Sequence, residues 1–478
     1  MTQTPEALYA ELLRGGSDNS PLATDGYKFS MAQAGFPLRE EVFYLHFRKG
    51  GPLFIPFDFE AVIQELRPRL PTSAENSFLQ THGYGLTHAM ERALLGDLEV
   101  YTQPKDTWAM ANEPVLTLKG PSFLVSWFEA LVIAFHFPMQ VATAIYKGAR
   151  TFYASCEDER AIIHLVADQL GISVEVNLGE DGLETYPLEI LGRIDTLREA
   201  VDLDRVFEVG TRAMSCMQQH WKALQVCKEQ GIHRTANVQL AYDLYMIPVG
   251  TTGHEHQERH GRDVDGFRAV RDQRPEPPSY LFDTYDPMNE GIPSAIKVIA
   301  EDPKRPCSMR FDSGDQESQL ARILRLLKGV KGAQMPMFLF MDGYNASRVR
   351  EMEEFCTKTL SVPVEASRRH YGLGSYLVSS SENRYTRDCV AMVYKLCQSG
   401  SKPVKKYSGT PGKESLAGDP QLVFDAEGNR IIAQKSESTF YSQHPHYLRD
   451  YLPEEAASLS ERTQKIQIRC KIRDKGQI

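Results

Sequence analysis

The chain has 478 residues, 42% of them hydrophobic, and a chain of this length buries roughly 75% of the surface its unfolded form exposes, which leaves room for a large core or two domains. Lys and Arg number 54 against 63 Asp and Glu, a formal net charge of -9, with no long basic run, so a general nucleic-acid footprint is not expected and any bound anion must be held locally. The 8 cysteines stand singly without a Cys-x-x-Cys pair, which argues against a disulfide framework or a cysteine-bound structural zinc and fits a reducing compartment.

The opening segment MTQTPEALYAELLRGGSDNS carries acids and no apolar core. The longest apolar run, Phe123 to Phe137, is interrupted by Glu129 and His136 and is shorter than a bilayer requires. A soluble cytoplasmic protein without membrane or nucleic-acid partners is expected. A short helix and a Gly-Ser loop come first, then TDGYKFSMAQAGF, in which Thr24 or Asp25 caps an amphipathic turn. Runs at 41–48, 97–103 and 114–119 alternate as antiparallel strands do, so the first third reads as α+β. Phe123 to Arg150 reads as one long buried helical stretch interrupted at Pro138. Residues 151–204 hold a strand-like Ile172 to Val176, an acidic loop and a helical pattern, without an assignment.

From about residue 205 the pattern becomes strand, loop, helix, repeated: RVFEVGTR, MIPVGT, SYLFDTYD, CSMRFDSGD, MFLFMDG and YGLGSYLVSS, with helical stretches between. Such alternation predicts parallel strands with crossover helices, an α/β arrangement. The strands end in polar clusters, at Glu208–Arg212, Thr251–His254, Asp283–Asp286, Arg310–Asp315 and Asp342–Asn345, and such ends are where an α/β barrel keeps its active site. After 390 the chain turns β-rich and loop-rich, with a hairpin expected around Glu427-Gly428, and this tail is expected to pack on the N-terminal third.

Each cluster supports a chemistry and also a plainer reading. RFDSGD places Arg310, Asp312 and Asp315 together, an anion-binding guanidinium beside carboxylates able to hold ribose hydroxyls or Mg²⁺, or else an Asp turn capping the next helix. DGYNAS and YGLGSYL offer glycines, Gly343, Gly372 and Gly374, that let backbone N–H groups approach a phosphate, or that serve a turn. Arg212 could clamp a pyrophosphate or pair with Glu208, and Asp283 would face inward beside it. Tyr27 is either a core aromatic or a ring-stacking platform. His254 ends a Gly-Thr turn, where an imidazole can take a proton, a metal or a phosphoryl group. His256 and His260, at i, i+4 beside it, raise a mononuclear zinc hydrolase as an alternative, which Arg259 and the lack of an HExxH order oppose. Neither a Walker A motif nor a GxGxxG fingerprint is present.

Seven of these segments, in order, resemble the motifs of the nicotinate phosphoribosyltransferase family, with nicotinamide phosphoribosyltransferase a more distant relative. They are TDGYKFSMAQA, EVGTR, GTTGH, FDTYD, RFDSGD, YGLGS and KYSGTPGKESL from Lys406. The resemblance implies a decapped α/β barrel of the type II phosphoribosyltransferase kind over 146–390, with an α+β N-terminal domain, 1–145, completed by the tail, 391–478. It implies a homodimer with shared active sites, transfer of a phosphoribosyl group from phosphoribosyl pyrophosphate to nicotinate in NAD biosynthesis, ATP hydrolysed as co-substrate, and Mg²⁺ held mainly through the substrate pyrophosphate.

By the same resemblance Tyr27 stacks on the pyridine ring from across the interface, and Arg212 and Arg310 bind pyrophosphate. Asp283 and Asp312 serve the ribose and Mg²⁺, with Asp315 beside them. Gly343, Gly372, Gly374 and Ser375 take the 5′-phosphate, and His254 is phosphorylated. The family's G-T-S-N stands here as RTAN, Arg234 to Asn237, with Thr235 expected to touch substrate. Ala236 replaces the aspartate of the nicotinamide branch, which favours nicotinate, whereas TRDCV, with Arg387 a phosphate ligand, is nearer that branch. Nicotinamide or quinolinate transfer stays open as an alternative.

Overall fold

The computed structural model describes residues 3–179, 185–360, 363–381, 384–404, 415–424 and 430–434. Most of the motif beginning at Lys406 and the turn at Glu427-Gly428 lie outside these residues. The strands expected to flank that turn, Pro420–Phe424 and Arg430–Gln434, do pair antiparallel.

Two sheets carry the architecture. The first is antiparallel, with Glu40–Phe47 at its centre between Leu116–Pro121 and Met392–Ser399, and with Glu99–Thr102 and Lys402–Pro403 outermost. Seven of the eight residues of Glu40–Phe47 are buried, because the strand is flanked on both edges and covered on both faces. The Thr117 hydroxyl donates to the Pro420 carbonyl at 2.9 Å, which ties the late hairpin to this sheet.

The second sheet is parallel and seven-stranded. Its strands are Val206–Glu208, Arg234–Thr235, Ile247–Pro248, Ser279–Leu281, Ser308–Phe311, Met337–Phe340 and Arg369–Leu373. Their spatial order runs from Ile247–Pro248 back to Val206–Glu208, on to Arg369–Leu373, and back through Met337–Phe340 and Ser308–Phe311 to Ser279–Leu281. That order is a cyclic permutation of chain order, so the sheet curls, with its open edges at Ile247–Pro248 and Ser279–Leu281. The Thr252 hydroxyl lies 3.5 Å from the Ser279 carbonyl oxygen across that gap. Parallel strands put all their following loops at one end, which gathers the polar clusters predicted from sequence onto a single rim.

One local expectation is corrected and one unassigned region takes shape. Phe123 to Arg150 is not one helix but three, Ser122–Trp127, Glu129–Ile133 and His136–Tyr146. Pro138 sits in the first turn of the third helix, where a missing N–H leaves no intrahelical bond unmade. The apolar run Phe123–Phe137 is buried throughout. Residues 151–204 form a parallel pair, Thr151–Tyr153 with Glu175–Asn177, around the helix Glu157–Gln169, followed by the helix Thr185–Arg198.

The helix Gly26–Gln33 docks on the rim through backbone rather than side chain. A Cβ on Gly250 would lie 2.3 Å from Gly26 C and 2.3 Å from Tyr27 N, and one on Gly26 would lie 2.5 Å from the Val249 carbonyl oxygen. Two segments distant in sequence, at Gly26 and Gly250, therefore require glycine for one shared contact. We expect Gly250→Ala to destabilise the protein by about 1–3 kcal/mol through overpacking, as measured by denaturant unfolding. Gly192→Ala, in a helix with nothing within 4 Å of its Cβ, should instead stabilise by roughly 0.5–1 kcal/mol. Equal effects of the two changes would contradict the backbone contact.

Candidate functional site

Arg310, at the end of its strand, reaches two loops at once. Its Nη1 donates to Thr251 Oγ1 at 2.7 Å and to the Thr252 carbonyl at 2.8 Å, and its Nη2 donates to Asp312 Oδ1 at 2.8 Å. The other oxygen of Asp312 lies 3.3 Å from His254 Nε2, while His254 Nδ1 lies 3.3 Å from Thr284 Oγ1 and 3.9 Å from Asp283 Oδ1. Burial acts to raise the Asp312 carboxyl, but Arg310 and His254 outweigh it and hold it well below the usual carboxylate range.

His254, Asp283 and Asp312 present ligand atoms within 4.8 Å of one another. The Ser313 hydroxyl donates to Asp283 Oδ2, and the buried Oδ1 has no hydrogen-bond partner among the described residues. Two converging carboxylates with one buried oxygen unengaged fit a hard, oxygen-preferring divalent cation such as Mg²⁺. The zinc alternative built on His256 and His260 does not fit. The His256 and His260 rings lie 4.7 Å apart, but His256 is fully buried with Nε2 2.9 Å from the Gly266 carbonyl oxygen, and among the described residues His254 gathers with Asp283 and Asp312 instead of with them.

A cavity of about 990 Å³ opens beside this cluster. Tyr27, Arg212, Arg310 and Asp312 line it, and the same four line a smaller hollow of about 40 Å³ that reaches His254. Tyr27 lines the cavity of its own chain, and a Cβ on Gly253, next to His254, would lie 2.9 Å from its ring. The Tyr27 hydroxyl donates to Glu129, and the Arg212 guanidinium sits 5.7 Å from its ring centre. Arg212 lies 3.9 Å from Glu129 rather than pairing with Glu208. Burial alone would raise the Glu129 carboxyl, but Lys28, at 2.8 Å, and Arg212 bring it down to about 2. Asp25, also on the cavity wall, caps the Tyr27 helix, and there burial wins: its carboxyl is pushed up to about 7 despite Arg212.

The far end of the cavity holds Gly343, Gly372, Gly374, Ser375 and Arg387. Gly343 has a φ of +71°, a conformation that favours glycine, and a Cβ on Gly372 would lie 2.5 Å from the Met341 side chain. Arg387 Nε donates to Asp388 at 3.0 Å, and Ser375 also bonds Asp388, so the glycine loop and the TRD segment meet through one carboxylate.

Three expected positions fall elsewhere. Thr235 is fully buried beneath the rim, donating to Glu208 at 2.6 Å. Asp283 lies under His254 rather than in the wall of the large cavity. Asp315 is exposed and caps the helix Gln316–Leu327, accepting from Ser318 N at 3.1 Å, which is the plainer of its two readings. Asp25, Glu129, Thr251, Asp388 and Arg193 were not singled out from sequence as site residues. Glu129 left a signal, an acid inside a buried apolar run, whereas Arg193 left none.

No protein-family model and no curated protein matches the chain. Among solved structures, the nicotinate phosphoribosyltransferase of Porphyromonas gingivalis is similar at 18% identity and a TM-score of 0.58, over 83% of this chain and 95% of that one. The nicotinate phosphoribosyltransferase of Vibrio cholerae is similar at 18% identity and a TM-score of 0.58, over 85% and 92%. At these identities the likeness is one of fold.

The raised Asp25 carboxyl gives a pH test. Its folded value near 7 lies above the ordinary aspartate value of 3.8, so folding takes up a proton between these limits and the group's contribution to stability falls as pH rises through that window. The unfolding free energy of Asp25→Asn should therefore gain on that of the parent as pH rises towards 7, by about 1.4 kcal/mol per pH unit, and the gain should level off above it. Parallel pH profiles for the two proteins would refute the burial assignment.

Proposed function

We propose that this protein is a phosphoribosyltransferase that joins nicotinate to the ribose of phosphoribosyl pyrophosphate, releasing pyrophosphate, with ATP hydrolysis coupled through His254. The observation that carries the reading is the convergence on one cavity of Arg212, Arg310, Asp312, the Tyr27 ring and a glycine-lined end, in a fold similar to nicotinate phosphoribosyltransferase structures. With that reading goes a decapped barrel over 146–390 and an N-terminal domain over 1–145 completed by 391–478.

The reacting step makes a bond from the pyridine nitrogen to C1′ and breaks the C1′–O bond to pyrophosphate. Positive charge grows on the ribose and negative charge on the leaving group, so preorganised charges aimed at each are the main source of rate. Arg212 and Arg310 face the leaving group. Asp312, kept ionised by Arg310, faces the developing oxocarbenium. Tyr27 offers a flat apolar face with its hydroxyl already satisfied by Glu129, so a pyridine ring can stack without stranding a polar atom. Ala236 lies in the cavity wall where a carboxylate would favour an amide, which supports nicotinate over nicotinamide. Asp283 and Asp312 would hold Mg²⁺, which when bound supplies charge neutralisation on the phosphates.

His254 has contacts at both nitrogens. A phosphoryl group taken from ATP must displace one of them, and displacing Asp312 frees a carboxylate that Arg310 also holds. The charge of phosphorylation thus reaches the two residues that handle pyrophosphate.

The test is mononucleotide formation from phosphoribosyl pyrophosphate and Mg²⁺ with nicotinate, nicotinamide or quinolinate, each with and without ATP, following ADP release. Nicotinate turnover stimulated by ATP is expected. Preference for nicotinamide would reassign the base, and no transfer to any base would end the proposal. His254→Ala should abolish ATP stimulation and leave slow ATP-independent transfer; equal loss of both would point to a direct catalytic role. Arg310→Ala should lower kcat/KM by about 100-fold or more, and intact turnover would overturn the pyrophosphate assignment.

A further inference from the structure

The helix Thr185–Arg198 lies in the part of the chain that carries no recognised motif, yet one of its faces is committed to the glycine-lined end of the cavity. Tyr186, Glu189 and Arg193 fall at i, i+3 and i+7, which places them in one row along the helix. Each grips the backbone just after Gly374. The Tyr186 hydroxyl donates to the Val378 carbonyl at 2.5 Å. Arg193 Nη1 donates to the carbonyls of Tyr376 at 3.0 Å and Ser379 at 2.5 Å, and its Nη2 pairs with Glu189. Glu189 accepts from Ser381 N at 2.7 Å and from Ser380 Oγ at 3.1 Å. The Tyr376 hydroxyl donates back to the Arg193 carbonyl at 3.2 Å. Arg193, Ser375, Tyr376, Ser379 and Ser380 all line the large cavity.

We propose that Tyr186, Glu189 and Arg193 are positioning residues that splint the segment Ser375–Ser381 and so shape the pocket for the 5′-phosphate of the substrate, a role that rests on the function proposed above. Gly372 and Gly374 make the approach to this segment conformationally permissive, so its geometry must be set by something outside it. A loop that binds an anion through fixed donors gains affinity when its order is established before the ligand arrives. The splint also deals with polarity. Backbone carbonyls near a phosphate oppose it, and here the carbonyls of Tyr376, Val378 and Ser379 are each bonded to a phenol or a guanidinium. Arg193 adds positive charge at the cavity wall while its pairing with Glu189 fixes its orientation.

The experiment compares the parent protein with Arg193→Ala, Arg193→Lys and Tyr186→Phe. It reads KM for phosphoribosyl pyrophosphate and for nicotinate separately, the calorimetric affinity for ribose 5-phosphate, and the thermal midpoint. Arg193→Ala is expected to raise KM for phosphoribosyl pyrophosphate by about tenfold and to weaken ribose 5-phosphate to the same degree, with KM for nicotinate within about twofold. Arg193→Lys, able to satisfy one carbonyl but not the fork, should recover part of the loss. Tyr186→Phe removes a single hydroxyl and keeps the ring, so it should fold and shift the same constant by about threefold. A matched change in both KM values, a fall in kcat or thermal midpoint alone, or no change in any variant would overturn the splint while leaving the function intact. A parent protein that neither turns over nor binds ribose 5-phosphate would remove the function and the splint together.

Discussion

The site depends on one buried guanidinium. Arg310 is 7% exposed and joins the loop that delivers His254 to the strand end that delivers Asp312 through three hydrogen bonds. A buried cation is costly without partners; both Nη atoms of Arg310 are engaged, while its buried Nε has no hydrogen-bond partner among the described residues. With Thr251 and Thr252 held on one side and Asp312 on the other, His254 Nε2 comes to lie against the second Asp312 oxygen. The open edge of the curled sheet falls between the same two loops, so the bond from Arg310 to Thr252 stands where no strand pairing closes the gap.

A second layer of charge binds the N-terminal helix to this centre. Lys28 is fully buried between Glu129, at 2.8 Å, and Glu255, at 2.9 Å, and Arg259 pairs with Glu41 at 2.9 Å. Glu129 also accepts from Tyr27 and faces Arg212, while Glu255 is the neighbour of His254 in sequence. Buried ion pairs contribute little net stability, but removing one partner strands the other. Their effect is therefore on arrangement: Tyr27 and Arg212 share Glu129, and Lys28 links that carboxylate to Glu255 beside His254, so these groups cannot shift independently.

Much of this was legible from residues alone. The alternation of strand and helix after residue 205 marked a parallel sheet, and a parallel sheet puts its loops at one end, so clusters read separately as GTTGH, RFDSGD, DGYNAS and YGLGS had to meet. What stayed hidden was contact between segments distant in sequence. Gly250 read as part of a Gly-Thr turn and Gly26 carried no reading, until the backbone contact explains both. Asp315 read as a ligand because it shares a hexapeptide with Arg310, but one turn further on a side chain points along the next helix and caps it. Thr235 read as a substrate contact because RTAN resembles the family's G-T-S-N, but it is its neighbour Ala236 that lines the cavity, since successive residues of an extended segment face opposite ways. Arg193 sits in an ordinary amphipathic helix, where charge spacing looks the same whether it faces solvent or a loop.

Beneath the rim a second polar group shows how the loop geometry is held. Glu208, fully buried, accepts from Gly210 N and from Thr235 Oγ1, and His220 Nε2 lies 3.1 Å from it. Asn237, within 3.1 Å of the other His220 nitrogen, caps the next helix at Leu240 N. An apolar packing of the same volume would cost less desolvation, yet it could not bond the Gly210 amide two residues before Arg212. A Cβ at Gly210 would lie 2.4 Å from Val378, in the segment that Tyr186 and Arg193 hold from the other side. The loop bearing Arg212 and the glycine loop are thus in contact at a position where neither can relax. The distance between Arg212 and the glycine-lined end is set by hydrogen bonds on both flanks, so the width of the cavity between them is fixed when the chain folds.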